Sequence, residues 1–169
     1  MVHSHIGNVS VKAVFSSCGK YRYTLTVSKH GLKNGKRVCV IMLNPSMAND
    51  KVADKSVQFV EKLIFEKELP EFKRVSELVI VNLYAFLQTK DFEGRKDQIG
   101  RMNDSYIGKS IAESDIILIA WGKSKKFAER GEQVKEMIGK YKGKKVYYTK
   151  KHPSRGYYRD FVDKIGSSL

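Results

Sequence analysis

Apolar residues fall along this chain in four short runs, each separated from the next by polar stretches of helical spacing. Val38–Leu43 (V-C-V-I-M-L), Glu77–Leu83 (E-L-V-I-V-N-L), Asp115–Trp121 (D-I-I-L-I-A-W) and Lys145–Thr149 (K-V-Y-Y-T) are rich in β-branched residues and far too short for a membrane span. Each reads as a strand, the first three buried on both faces. Between them, Val57, Val60, Leu63 and Ile64 recur at helical spacing behind a cap at Asp54 or Ser56. The same spacing predicts helices over Asn103–Glu113, about Ser124–Lys140 and Tyr157–Ile165. Strands alternating with helices argue for an α/β fold, a three-layer sandwich around a central, mostly parallel four-stranded sheet.

Ahead of this core, Val11–Phe15 and Tyr21–Val27 flank the turn Ser16–Lys20 (S-S-C-G-K) and predict an N-terminal β-hairpin. Strict alternation would put Tyr21, Tyr23, Leu25 and Val27 on one face, packed on the core, and Arg22, Thr24 and Thr26 on the other. The first ten residues, with His3 and His5, read as a frayed lead-in. The expectation is a single domain over 1–169, with a lead-in and hairpin over 1–37 and the α/β core over 38–169.

Charge changes this picture more than composition does. Lys and Arg number 32 against 18 Asp and Glu, a net charge of +14, which points to a polyanionic partner. The excess is uneven, because Lys123–Arg159 holds 13 Lys or Arg against 3 Asp or Glu. Nucleic acid is the expected partner, DNA ahead of RNA. Cys18 and Cys39 stand too far apart for a metal knuckle, so neither a metal nor a cofactor is expected. With no leader pattern and no long apolar run, the chain is expected to be cytoplasmic, away from membranes and without an obligate protein partner.

Parallel strands share one carboxyl edge, where open α/β sheets bind their ligands. That edge would gather Asn44-Pro45-Ser46, where Pro45 forces the chain out of the sheet, with Asn82, Trp121-Gly122 and His152-Pro153-Ser154. Singly, each of these is an ordinary loop residue. Their order resembles the uracil-DNA glycosylase superfamily: M-L-N-P-S at Met42–Ser46, V-I-V-N at Val79–Asn82, W-G at Trp121–Gly122 and H-P-S at His152–Ser154. The whole chain is also similar to an uncharacterised family of bacterial and phage proteins with a C-G-x-Y-R-Y opening (Cys18–Tyr23) and an L-N-P-S-x-A loop (Leu43–Ala48).

The superfamily resemblance implies a DNA glycosylase that hydrolyses the N-glycosidic bond to a uracil-type or 5-modified pyrimidine. Under it, Asn44 positions water, His152 donates to the departing base oxygen, and Asn82 reads the base edge. Ser46, Lys150, Lys151, Ser154 and Arg155 hold the nucleic acid. The departures are Asn44 in place of an aspartate, Ser46 in place of a bulky aromatic, and the absence of a leucine wedge, for which Arg155, Tyr157 or Tyr158 would have to serve. Phe59, Tyr84 and Phe86 are the candidates to stack on the base. Two alternatives stand beside this reading: a nucleic-acid-binding protein of the same fold without catalysis, and an enzyme or binder for a free nucleotide.

Overall fold

A computed structural model describes residues 2–165. Seven strands form one mixed sheet in the order β1-β2-β4-β3-β5-β6-β7. These are β1 (Val9–Phe15), β2 (Arg22–Lys29), β3 (Lys36–Met42), β4 (Val75–Asn82), β5 (Ile116–Ile119), β6 (Lys145–Thr149) and β7 (Val162–Lys164). The four apolar runs are the contiguous parallel centre, β4-β3-β5-β6. The expectation of a four-stranded sheet is therefore corrected at both edges. The N-terminal hairpin is not an appendage, since β2 pairs antiparallel with β4 and extends the sheet.

At the other edge, β7 pairs antiparallel with β6 where a closing helix was expected. The physical reason lies in the residues of Tyr157–Ile165. Tyrosine, phenylalanine and valine fit a pleated surface better than a helix, and Asp160 takes a left-handed backbone (φ 54°) that no helix accommodates. Phe161 then buries its ring edge-on against Phe59.

Three helices cover the sheet: α1 (Lys55–Phe65), α2 (Asn103–Ala112) and α3 (Ala128–Gly139). On one face Val38, Val40 and Met42 of β3 pack with Val57, Val60, Leu63 and Ile64 of α1. On the other, Cys39 and Ile41 pack with Ile107 and Ile111 of α2 and Val134 and Ile138 of α3. The period-2 alternation of a doubly buried strand thus feeds two separate cores. From β3 the chain passes through α1 to β4 on one side, then through α2 to β5 on the other side of β3. The connection reverses at β3, which locates the crevice beyond the carboxyl ends of β3 and β5.

Residues 2–8 are docked rather than frayed. His3 exchanges two backbone hydrogen bonds with Ala53. His5 pairs through Nδ1 with Glu61, a fully buried residue of α1, and donates from Nε2 to the Asn49 carbonyl at 2.8 Å. The Ile6 amide donates to the second Glu61 oxygen at 3.1 Å. A buried carboxyl group that hydrogen-bonds to two groups of the lead-in explains why this segment lies against α1.

Candidate functional site

A cavity of about 740 Å³ opens at the carboxyl edge of β3, on the α1 face. Met42 and Arg22 form its inner wall, and Asp54, Lys55 and Ser56 bring the N-terminus of α1 to one side. His152, Ser154, Tyr158 and His3 also line it, with Tyr158 stacked on Phe59 of α1. The loop after β3 and the loop after β4 are zipped together above it. Asn44 Nδ2 donates to the Gln88 carbonyl at 2.7 Å, the Gln88 amide donates to the Pro45 carbonyl at 3.2 Å, and the Ser46 and Thr89 hydroxyls lie 3.3 Å apart.

Of the residues expected at the edge, Asn44, Ser46, His152 and Ser154 line this one cavity. Asn82 does not. It is 1% exposed and sits behind the wall, its Oδ1 accepting from Arg22 Nη2 at 3.3 Å while its backbone carbonyl accepts from Asn103 at 2.9 Å. Lys150 does not line the cavity and is paired with Asp160, whose carboxylate it meets at 2.8 Å and which holds the ammonium above its ordinary range. Lys151 and Arg155 are exposed on the turn that follows β6. Within the basic stretch, Arg130 is buried against Asp104 and Lys135 pairs with Glu132, so part of that charge is spent internally. Among the candidate stacking rings, Phe59 lines the cavity, Tyr84 is buried in the opposite core, and Phe86 stands edge-on to Tyr21.

The state of His152 follows from its neighbours. The Ser154 amide donates to Nδ1 at 3.1 Å, and the Ser154 hydroxyl lies 2.9 Å from the same nitrogen. A nitrogen that accepts from a backbone N–H carries no proton, so the neutral imidazole is protonated at Nε2. Burial pushes the pKa of His152 down, opposed by the Asp54 carboxylate and assisted by Arg155. The neutral form, a donor through Nε2, is thereby favoured. Gly122, in a left-handed conformation (φ 82°), lets β5 turn away directly beside it; a Cβ there would lie 3.4 Å from the His152 Cβ.

Two cavity residues were not legible as such. Asp54 reads from sequence as a helix cap, and it is one: its Oδ1 accepts from the Val57 amide at 2.9 Å. It is also the one acidic side chain on the cavity wall among the described residues. Arg22 was placed by alternation with Thr24 and Thr26, away from the α1 side. The ladder shows why this fails. Val14 pairs with Thr24 and Phe15 with Arg22, so Tyr23 is left over as a bulge. The bulge sends Tyr23 to stack on Tyr106 of α2 and turns Arg22 to the α1 side, alongside Asn82.

A family model described as protein of unknown function (DUF1643) matches residues 22–157. The chain belongs to the DUF1643 family. The match begins at Arg22 and takes in every cavity residue of the inner wall, of α1 and of the His152 turn up to Tyr157. No curated protein and no solved structure matches the chain. Among the described residues, no helix is long and apolar enough to cross a membrane.

Proposed function

We propose that this cavity takes a uracil-type or 5-modified pyrimidine nucleotide of DNA and hydrolyses its N-glycosidic bond. In that reaction a water oxygen bonds to C1′ as the C1′–N1 bond breaks. The bonding pair leaves with the base, and the base recovers a proton from the water. Charge therefore develops on the base carbonyl oxygens, and a donor placed there in a dry cavity is worth roughly 3–4 kcal/mol. The observation that carries the proposal is that His152, whose Nδ1 is engaged by the Ser154 amide so that Nε2–H is its free donor, lines the same cavity as the Asp54 carboxylate and Asn44.

Each remaining role follows from what a group has left to give. The Asn44 amide nitrogen is held by the Gln88 and Pro45 carbonyls, so its oxygen is the atom that accepts from a water. Asn44 cannot take a proton. Asp54 can, through the oxygen not committed to capping α1, and it supplies the base that Asn44 lacks. Asn82 acts from behind the wall by holding Arg22 instead of reading a base edge itself.

The test is single-turnover base release from duplexes carrying a panel of modified pyrimidines, read as strand scission at the resulting abasic sites. The unmutated protein is expected to release at least one base, and His152→Ala to slow that release by about 10²–10³-fold with duplex affinity nearly unchanged. Normal release by a folded His152→Ala would remove the assigned mechanism. Absence of release from every pyrimidine by the unmutated protein would leave binding without catalysis as the function.

A further inference from the structure

We infer that Arg22 is an anion receptor that fixes a phosphoryl group of the ligand inside the cavity. The inference concerns binding and does not depend on whether the cavity also cleaves a glycosidic bond. Arg22 is 1% exposed, yet no carboxylate among the described residues pairs with it. Two of its five N–H groups are used, and both go to neutral acceptors: the Ala48 carbonyl at 2.9 Å and Asn82 Oδ1 at 3.3 Å. Its Nε is buried without an acceptor among the described residues. A buried guanidinium without a salt bridge is disfavoured: burial pushes its pKa down to about 10, opposed only in part by the Asp54 carboxylate. A purely structural arginine at this place would be expected to carry a counter-ion.

The surroundings complete a site for an anion. The eleven-residue α1 directs its N-terminus at the cavity through Lys55 and Ser56, adding the positive end of the helix dipole. Ser46 contributes a hydroxyl group. Asp54 is the opposing charge; one of its oxygens is engaged by the Val57 amide, and it favours the charged form of Arg22 without forming a salt bridge with it. A volume of about 740 Å³ is well above what a pyrimidine ring alone fills, and it accommodates a nucleotide with its phosphate. The shared chemistry is a phosphoryl oxyanion, carried either by the monoester of a free nucleotide or by a phosphodiester within a strand.

Calorimetric titration of the full chain tests this with four probes: inorganic phosphate, deoxyuridine, deoxyuridine 5′-monophosphate, and a single-stranded oligonucleotide with one internal deoxyuridine and no terminal phosphate. The monophosphate is expected to bind about ten- to a hundred-fold tighter than the nucleoside, the range for a charge-assisted contact in a buried setting. Arg22→Gln, which keeps a donor for the Ala48 carbonyl, should abolish that difference. Asn82→Asp keeps Arg22 but gives it an internal counter-ion, and should abolish the difference too. Competition by the oligonucleotide that is lost in Arg22→Gln assigns the phosphoryl group to a strand; its absence, with the monophosphate preference intact, assigns it to a free nucleotide. Equal affinity for nucleoside and monophosphate in the unmutated protein, or an undiminished difference in folded Arg22→Gln, would overturn the inference.

Discussion

Two arginines are buried on opposite faces of the same sheet, and their surroundings differ in one respect. Arg130 of α3, 5% exposed, ion-pairs with Asp104, donates to the Leu83 carbonyl at 3.0 Å and reaches Gln133 at 3.4 Å. Among the described residues, Arg22 of β2 hydrogen-bonds only to neutral partners and its Nε is unmatched. Where the chain needs an arginine to tie elements together, on the α2–α3 face, it supplies the carboxylate as well. On the α1 face no carboxylate among the described residues forms a salt bridge with the guanidinium; Asp54, on the wall of the cavity that Arg22 borders, favours its charged form without pairing with it. A buried charge without a partner is tolerated when it serves something other than stability. The comparison separates a structural face of the molecule from a working one.

The largest effect on stability is expected from Arg130→Met, which leaves Asp104 unpaired and deprives the Leu83 carbonyl of a charged donor. Because Asp104 is itself half exposed, the loss should be about 2 kcal/mol, smaller than for a fully buried pair. Urea denaturation measures it, and a loss no greater than that of an average surface substitution would remove Arg130 from the structural role. Next comes Gly156→Ala on the cavity side. A Cβ at Gly156 would overlap the Phe59 ring, which is already stacked on Tyr158 with centroids 4.8 Å apart. Overpacking of this kind costs about 1–2 kcal/mol and should displace the His152 turn, lowering ligand affinity together with the melting temperature. Unchanged melting would show that this wall yields without strain.

Arg22→Met should alter stability by less than about 1 kcal/mol, because the two lost hydrogen bonds are offset by relief of an unpaired buried charge. Destabilisation as large as that of Arg130→Met would erase the contrast between the faces. The smallest effect concerns pH. His152 is held below its ordinary value near 6.5, so as the pH falls the unfolded chain takes up this proton before the folded one does. Its contribution to stability is full above about pH 6.5 and is lost as the pH falls through the depressed folded value. Urea midpoints between pH 7.5 and pH 5 should drop more for the unmutated protein than for His152→Asn, by an amount on the order of 1 kcal/mol or less. A larger drop in the variant would reverse the sign assigned to His152.

The parallel centre of the sheet was legible because its strands are buried on both faces, which leaves uninterrupted apolar runs such as Val38–Met42 and Ile116–Ile119. The helices α1, α2 and α3 followed from spacing, though the same spacing misled over Tyr157–Ile165, and Asp54 followed from its capping chemistry. Asn44, Ser46, His152 and Ser154 were legible as neighbours because parallel strands deliver their ends to one edge. Arg22 was hidden for a definite reason. Period-2 alternation holds only until a bulge, and nothing in Y-R-Y-T-L-T-V marks Tyr23 as the residue that drops out of register. Asn82 misled in the complementary way: it does stand at a strand end, but the side chain that the bulge brings round covers it. The docking of residues 2–8 was hidden too, since the partner of His5 is Glu61, a charged residue at a fully buried position of α1.

The most direct measurement follows the two guanidinium Nε–H signals by ¹H–¹⁵N NMR while deoxyuridine 5′-monophosphate is added, with Arg22→Lys and Arg130→Lys used to assign them. Among the described residues Arg22 Nε has no acceptor, whereas Arg130 Nε has the Leu83 carbonyl. On saturation the Arg22 signal is expected to shift as its guanidinium takes up the phosphoryl group, while the Arg130 signal stays in place. An Arg22 signal that does not move, or one that moves no more than that of Arg130, would contradict the division of the molecule into a structural face and a ligand-binding one.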